Sequence, residues 1–241
     1  MRSEETAPVS ADKLLVSIAE QLKMPLLHIA RQAELYSVTQ QITPDKMVRM
    51  QLSAEAALRL VDSYLLGLEL AKEQTSLLLE PVSLSSTLVD IAHQLEGFAK
   101  LYDVDLELHV AGKYRPVMAH GAGLKAAFLS LGYSLIEALP SLQTERKRLS
   151  LRLAAHRTPH GLVAGLYGNA ATFNTKDLRI AQQLSGEVRQ PFTILSATGG
   201  AGIFVADTIF RAMDSKLRVG RHQKMSGFAA TLLPSKQLQL V

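Results

Sequence analysis

A glycine-rich segment near residue 200 is the strongest candidate for chemistry in this sequence. Gly199-Gly200-Ala201-Gly202-Ile203 precedes a stretch in which apolar residues recur at helical spacing, so the pattern predicts a loop that opens a helix. Free backbone N–H groups at such a helix start can bind phosphate groups. Glycines there can also serve only to bring a loop and a helix close together. The glycines alone leave phosphate binding and tight packing both open.

Other constellations for catalysis or metal binding are not evident in the sequence. The chain has no cysteine, which excludes disulfides, thiolate zinc sites and cysteine nucleophiles. The serines lack a G-x-S-x-G elbow, and neither an H-E-x-x-H motif nor an EF-hand loop occurs. The seven histidines are scattered without paired metal spacing. We therefore expect no metal site and neither hydrolase nor metalloenzyme chemistry.

Composition and charge exclude further classes of protein. The chain has 241 residues, of which 47% are hydrophobic and 20% charged, enough for one large or two modest domains. The net charge of +4 comes without interleaved aromatic residues or a groove-reading motif, so we expect no nucleic-acid partner. Apolar runs such as 162–166 are far shorter than the roughly 20 residues of a spanning helix, and the polar segment from Met1 to Asp12 shows no secretory signal. We expect a flexible N-terminus over 1–10, no membrane insertion and a cytoplasmic location.

Residues 11–74 are predicted to form an antiparallel helical hairpin. Apolar residues recur at steps of three and four in two segments, and Thr43-Pro44-Asp45 between them supplies a helix start. The stripe on the second helix consists of Met47, Met50, Ala54, Ala57, Val61, Tyr64, Leu68 and Ala71. Because an isolated hairpin would expose this stripe, the pattern predicts that two chains pair into a four-helix bundle. A homodimer follows as a hypothesis.

Residues 78–236 mix helices and strands and are predicted to form a second domain. Helices are predicted at 86–101, 121–138, 175–184 and 200–213, and strands at 78–84, 104–110, 116–118, 148–155, 161–167, 191–195, 216–220 and 228–233. Strands paired as hairpins with helices to one side indicate an α/β sandwich. The expected class for the whole chain is therefore α+β.

Four segments together resemble the core of a sensor histidine kinase. Residues Glu20-Gln21-Leu22-Lys23-Met24-Pro25-Leu26 are similar to the family's phosphoacceptor box, and Glu80-Pro81-Val82-Ser83-Leu84 to the start of its ATP-binding domain. His120 to Ser134 is similar to the segment through its asparagine box, and Gly200 to Val219 to its second glycine box with the following helix and strand. The resemblance implies a hairpin dimerisation domain followed by a Bergerat-type, HATPase-like domain.

The sequence departs from the family pattern at the positions that carry the family's catalytic and ligand-binding residues. Glu20 stands where the phosphoacceptor histidine is expected, and a carboxylate cannot form a phosphoramidate. Ser130 and Ser134 take the two asparagine positions, and the second of these normally helps to hold magnesium. A hydroxyl can still coordinate Mg²⁺. Glu137 stands where the family often has a base, and its negative charge would oppose a triphosphate.

The first glycine box departs further. The family's Asp-x-Gly-x-Gly becomes Gly168-Asn169-Ala170-Ala171-Thr172, so the carboxylate that accepts the adenine amino group is absent. A vestigial nucleotide pocket would consist of Ser134, Asn169, Gly199, Gly200 and Gly202, with Asn169 as a partial substitute for the aspartate. The other interpretation is a collapsed apolar pocket lined by Ala170, Ala171 and Phe173, which we favour.

The resemblance and its departures together predict a degenerate histidine-kinase core, a pseudokinase of two-component signalling. We expect a non-catalytic, dimeric adaptor with no cofactor, and ATP and Mg²⁺ only if the vestigial pocket is functional. By resemblance, its partner is a response-regulator receiver domain or a histidine kinase, docked near Glu20, Lys23 and Met24.

Two alternatives stay open. The chain could be an active kinase with an atypical acceptor, or a histidine phosphotransferase-like phosphorelay module. The phosphorelay module needs a phosphorylatable histidine on the bundle, and Glu20 argues against both alternatives. His28 follows Glu20 by eight residues, which places it about 80° away around the helix, so it is an unfavourable acceptor.

Overall fold

The computed structural model describes residues 11–39, 43–73, 77–110, 112, 114–142, 148–170, 173, 175, 178 and 200–235. Two long helices come first, α1 (Ala11–Thr39) and α2 (Pro44–Glu73), and they pack on each other as a hairpin. Asp45 in the first turn of α2 lies at the positive end of the helix dipole, as its position in the sequence predicts. The predicted helical hairpin is confirmed.

The remainder of the described chain is an α/β unit with helices on one side of a sheet. Its helices are α3 (Leu84–Leu101), α4 (Gly121–Leu142) and α5 (Gly200–Ala212). Its strands are β1 (Glu80–Val82), β2 (Val104–Val110), β3 (Val117–Ala119), β4 (Leu149–Thr158), β5 (Gly161–Gly168), β6 (Leu217–His222) and β7 (Met225–Leu232). The α+β class and the sandwich are confirmed.

Five of these strands form the main sheet in the order β2-β4-β5-β7-β6. The β2 and β4 strands pair in parallel, and the other neighbours pair antiparallel. The parallel pair requires a crossover between β2 and β4, and α4 lies within it. Strands β1 and β3 form a separate antiparallel pair. The crossover places α4 on the helical side of the sheet.

Some element boundaries differ from the sequence predictions. The first strand of this unit is shorter than the predicted 78–84, and α4 continues four residues beyond the predicted end at 138, with Pro140 inside it. The predicted helix at 175–184 is described only at residues 175 and 178, which are helical. The predicted strand at 191–195 lies outside the described residues.

The core lies between the sheet and the layer of α3, α4 and α5. Leu88, Leu95, Phe128, Leu151 and Phe210 are among its fully buried side chains. In the same cluster lie Ala56, Leu60 and Tyr64 of α2. The hairpin is therefore packed against the helical layer.

Two glycines show how closely α2 approaches this layer. A Cβ atom at Gly67 of α2 would lie 3.0 Å from a methyl group of Val205 in α5, and one at Gly97 of α3 would lie 2.7 Å from a methyl group of Leu52 in α2. Tyr64 is buried in this contact, whereas the sequence stripe places it in a seam between two chains. Of the stripe residues that the structure describes, Tyr64 is the one that is buried, so the periodicity predicts the helix but not which of its faces packs on the α/β unit.

Helix α4 is long and apolar enough over Gly121–Pro140 to cross a membrane by length and composition, and 83% of that window is buried inside the protein. A helix buried on all sides in a protein core has the same composition. The short apolar runs of the sequence do not reveal it, because Lys125, Ser130, Ser134 and Glu137 interrupt them.

Candidate functional site

One face of α4 carries the three positions that resemble the asparagine box. Ser130, Ser134 and Glu137 follow one another at helical spacing, so they share a face. Their exposed fractions are 0%, 0% and 7%. The face on which the resemblance places a nucleotide's phosphates and magnesium is thus covered by protein.

The start of α5 covers the upper part of that face. A Cβ atom at Gly202 would overlap the Oγ atom of Ser134 and would lie 2.5 Å from the carbonyl oxygen of Ser130. Gly202 is buried, and Ala201 and Ile203 beside it belong to the core. Of the two interpretations of the glycine-rich segment, tight packing describes Gly202. Gly199 lies outside the described residues, and Gly200 is the first residue of α5.

The position of the missing aspartate is filled by another side chain. A Cβ atom at Gly168, at the end of β5, would lie 2.8 Å from a Cδ atom of Leu139 in α4. Leu139 is fully buried. A carboxylate extending from position 168 would need the space that this leucine occupies, so an adenine-binding aspartate does not fit here without repacking.

Asn169 does not face the α4 surface as a free hydrogen-bonding group. Its Nδ2 donates to the Arg148 carbonyl oxygen at 2.8 Å, and its Oδ1 accepts from the Ser150 backbone N–H at 2.9 Å. Both ends of the amide therefore bind the beginning of β4. This arrangement joins the strand ends and uses one donor and one acceptor site of the amide.

The residues after β5 lie against the sheet. Phe173 is buried, its ring centroid is 5.0 Å from that of Phe228, and its backbone N–H donates to the Ser226 Oγ. Ala170 packs against the core from a half-buried position, and Ala171 lies outside the described residues. At these two described positions the side chains therefore pack against the sheet and the core.

Glu137 lies between the hairpin and the α/β unit. Burial raises the pKa of its carboxyl to about 8. Its charge contributes to the raised pKa of Tyr64 on α2 and of Tyr102 after α3, although burial is the larger cause for both. Burial is the cause of this shift, and no cation among the described residues offsets it, so the carboxyl is mostly neutral at neutral pH.

Further polar groups surround this contact. Arg59 of α2 lies 3.5 Å from the Tyr133 hydroxyl and 3.5 Å from a carboxylate oxygen of Glu55. The Tyr102 hydroxyl is buried without a hydrogen-bond partner among the described residues. Sequence reasoning flagged Glu137 for its family position but missed these tyrosines, because no spacing rule joins residues of α2, α3 and α4.

The candidate docking residues lie on α1. Lys23 is exposed, and the side chains of Glu20 and Met24 lie outside the described part of the chain. His28 is half-buried, and its ring lies 5.6 Å from that of Tyr102. His28 therefore contacts the α/β unit as an aromatic side chain.

Among the other histidines, one caps a helix and three lie close together on the sheet. His120 accepts the Gly123 N–H on its Nδ1 at 3.0 Å and so caps α4. His109, His156 and His222 lie together on the sheet, a grouping that the sequence does not reveal. Within the described residues, no group of His, Cys, Asp or Glu side chains is arranged to hold a metal ion.

Comparison with solved structures places this arrangement among histidine-kinase cores. The chain is similar to the Acinetobacter baumannii histidine kinase AdeS, with 14% identity and a TM-score of 0.51 over 88% of this chain and 96% of that one. It is similar to full-length ShkA in complex with AMPPNP, with 15% identity and a TM-score of 0.53 over 94% of this chain and 47% of that one. A structure described as a bacterial phosphotransferase gives 11% identity and a TM-score of 0.51 over 91% of this chain and 94% of that one.

Sequence comparisons give no further assignment. No family model matches the chain, and no curated protein matches it significantly. At these low identities the structural similarity establishes the fold. The chain has the fold of a histidine-kinase core, with a helical hairpin followed by an ATPase-like α/β unit.

Proposed function

We propose that this chain is a degenerate histidine-kinase core that acts in two-component signalling by binding partners and not by catalysis. The histidine-kinase fold supports a role in two-component signalling. The residues at the positions where the family binds nucleotide and accepts phosphate support the loss of kinase activity. The proposal includes a cytoplasmic location, which the absence of cysteine favours.

The observation that carries the proposal is the contact between Leu139 and Gly168. In the family that the chain resembles, an aspartate at position 168 accepts a hydrogen bond from the adenine amino group. Here the Leu139 side chain fills the adjoining space. A base that entered would displace a buried leucine and leave its amino group unpaired, which costs roughly 1–3 kcal/mol for the hydrogen bond alone.

Two further features oppose nucleotide binding. Gly202 is packed directly on Ser130 and Ser134, so magnesium and phosphate would have to separate α5 from α4. Glu137 supplies a carboxyl where the family often supplies a base, and a carboxyl kept neutral by burial provides no positive charge to offset a triphosphate.

The first test is a nucleotide titration of the full chain. We expect ATP or AMPPNP with Mg²⁺ to show no binding by isothermal titration calorimetry up to millimolar concentration. Binding with a dissociation constant below about 100 μM, a binding free energy of about −5.5 kcal/mol, would contradict the proposal that α4 and α5 pack too closely to admit a nucleotide. The titration should include ATP without Mg²⁺, because binding without the metal would point to adenine recognition alone.

The second test restores the missing acceptor. Glu20→His supplies the histidine within the matching Leu22, Lys23, Pro25 and Leu26 framework, and we expect no labelled phosphate to transfer from ATP. Phosphoryl transfer depends on positioning and on neutralising the charge of the γ-phosphate, and the positions for both are altered. Label on the Glu20→His variant would show a competent nucleotide site and would disprove the adaptor proposal.

The proposed partner is a receiver domain or another histidine kinase, bound at the hairpin near Glu20, Lys23 and Met24. The exposed Lys23 supports docking there. Lys23→Glu should weaken binding of the partner, whereas Lys216→Glu, on the exposed connection before β6, should leave it unchanged. Equal loss in both variants would argue against this docking position.

A phosphotransferase-like module is the second candidate function. The similarity to a structure described as a bacterial phosphotransferase favours it, and it requires an acceptor histidine, for which the hairpin offers the half-buried His28. Incubation with a phosphorylated receiver domain tests this candidate directly. Label on the wild-type chain that His28→Ala abolishes would establish it in place of the adaptor.

A further inference from the structure

Three histidines from three strands meet on the face of the sheet that lies away from the helices. The His222 ring, at the end of β6, lies 5.5 Å from the His156 ring of β4 at an angle of 27°, and 6.2 Å from the His109 ring of β2. Tyr167 of β5 lies 5.4 Å from the same ring. Since β2 and β6 are the two edges of the sheet, the end of the β6–β7 hairpin must curl back over this face.

Small residues permit the curl. Gly227 of β7 lies between Tyr167 and Gly220 in the strand register, and a Cβ atom at Gly227 would overlap the Leu166 carbonyl oxygen. Beneath the hairpin lies a small apolar cluster, separate from the main core and made of Ala154, Tyr167, Met225 and Ala229. The curled hairpin end therefore has only a few apolar contacts besides the histidine rings.

The polar groups around His222 are mostly cationic. Arg152 of β4 donates to the side-chain oxygen of Gln223 in the hairpin turn, and it pairs with Glu107 of β2 at 2.6 Å. Glu107 is the acidic group in this set, and it is already bound to Arg152. Arg221 and Lys224, adjacent in the hairpin itself, are exposed. A proton on His222 would thus add a positive charge to an arginine and two further imidazoles.

The Nδ1 atom of His156 gives an independent observation. It is buried without a hydrogen-bond partner among the described residues. An imidazolium donates from both ring nitrogens, whereas a neutral imidazole can leave one nitrogen as an acceptor. Protonation of His156 would therefore bury an unpaired donor at the stack with His222.

We propose that His109, His156 and His222 form a pH-sensitive latch, which holds the end of the β6–β7 hairpin on the sheet while His222 is neutral and releases it when His222 is protonated. Stacked neutral rings attract each other, and like charges at 5 to 6 Å repel. Besides the rings, the hairpin end is held by the bond from Arg152 to Gln223 and by a few apolar contacts, so a charge on His222 acts on a small set of interactions.

The direction of the pH effect follows from His222. Burial lowers its pKa, and the nearby His156, Arg152 and His109 lower it further. A base whose pKa is depressed by folding stabilises the closed hairpin fully above its unfolded pKa of about 6.5, and this stabilisation is lost as the pH falls below that value. The latch is therefore closed at pH 7.5 and weakened at pH 5.

Amide hydrogen exchange on the full chain tests the latch. After correction for the intrinsic pH dependence of exchange, we expect protection at Arg221 to Ser226 to fall at least about tenfold between pH 7.5 and pH 5. Protection in the neighbouring β4–β5 pair should stay unchanged. Equal corrected protection of the hairpin at both pH values would overturn the proposal.

Two variants separate the latch from general acid sensitivity. His222→Phe keeps an aromatic ring without a titratable group, so its hairpin should keep its protection at pH 5. His93→Phe, which changes an exposed histidine on α3, should lose protection as the wild-type chain does. If His222→Phe loses protection as strongly as wild type, the latch is disproved.

A measurement on the unmodified chain covers the case in which a variant fails to fold. The imidazole resonances of His222, followed by NMR, should titrate below about 6.5, the ordinary pKa value for histidine, and the midpoint should coincide with the loss of hairpin protection. A midpoint of His222 at or above about 6.5 would contradict the latch.

Discussion

Glu137 shows what one buried carboxyl does to this molecule. Its pKa of about 8 means that the folded chain keeps the group neutral up to about pH 8, whereas the unfolded chain ionises it above about pH 4.5. Below about pH 4.5 both states bind the proton, so nothing is lost. Between pH 4.5 and pH 8 the unfolded state alone releases it, and the stability of the fold declines with rising pH.

Glu137→Gln should therefore stabilise the chain at neutral pH. We expect a gain of about 3 kcal/mol at pH 7 in the free energy of unfolding, and a gain near zero at pH 4. Urea unfolding followed by circular dichroism at several pH values measures this difference.

Glu96→Gln is the matched control for that experiment. Glu96 lies on the surface of α3, and its hydrogen bond and ion pair with Lys100 lower its pKa. Folding lowers the pKa of Glu96, whereas it raises the pKa of Glu137. The Glu96→Gln variant should therefore be equal to or slightly less stable than wild type at pH 7. A Glu137→Gln gain that is the same at pH 4 and pH 8 would mean that packing, not ionisation, explains it.

Among the helices and strands, the approach of α4 to α5 shows how one glycine, Gly202, sets the distance between two elements. Both helices lie in the helical layer, and Gly202 allows the first turn of α5 to meet Ser130 and Ser134 of α4. One of the atoms in contact is a backbone carbonyl oxygen, which cannot rotate away as a side chain can. The distance between the helices therefore depends on the missing side chain at position 202.

Gly202→Ala should separate the two helices and destabilise the fold by roughly 1–3 kcal/mol, the usual cost of overpacking. Chemical denaturation measures the change. Gly121→Ala is a suitable control, since Gly121 also lies in the first turn of a helix and its Cβ would come no closer than 3.4 Å to the flexible Glu80 side chain. Similar losses in both variants would show that helix backbone effects, and not the α4 contact, are responsible.

Local patterns in the sequence predict these elements well but not their contacts. The steps of three and four residues predict α1 and α2, and the order of strands and glycines predicts the α/β unit. Leu139 beside Gly168 and Tyr64 beside Glu137 could not be predicted, because each pair joins residues far apart in the chain. His222 meets His156 and His109 only through the curl of the sheet, for which no local pattern exists.

The outer surface of the hairpin determines how the whole molecule would assemble. Several large apolar side chains on it remain exposed in the single chain: Leu26, Leu27, Leu35, Tyr36, Val38, Met47, Val48, Leu58, Val61 and Leu65. Leu58, Val61 and Leu65 follow one another at helical spacing on α2. Exposed apolar surface of this extent on two adjacent helices is typical of an interface, and the proposed homodimer would bury it in a four-helix bundle.

Leu58→Asp and Val61→Asp should each dissociate the proposed dimer, because each would place a charge in the bundle. Light scattering at micromolar concentration should show a dimer for wild type and a monomer for both variants. Leu78→Asp is the control, since Leu78 is 85% exposed but lies outside the hairpin, and it should remain dimeric. A monomeric wild-type chain would contradict the bundle.

The strand order described above also has a kinetic consequence. The β4–β5 and β6–β7 pairs join strands that are adjacent in the chain, so each can form with little loss of loop entropy. The β5–β7 pair must instead bring Gly168 to Ser226 across the chain between them, which includes α5. Non-local pairing of this kind is slow to form. We therefore expect the two hairpins to acquire structure first and their joining at β5–β7, together with the docking of α5, to limit the rate of folding.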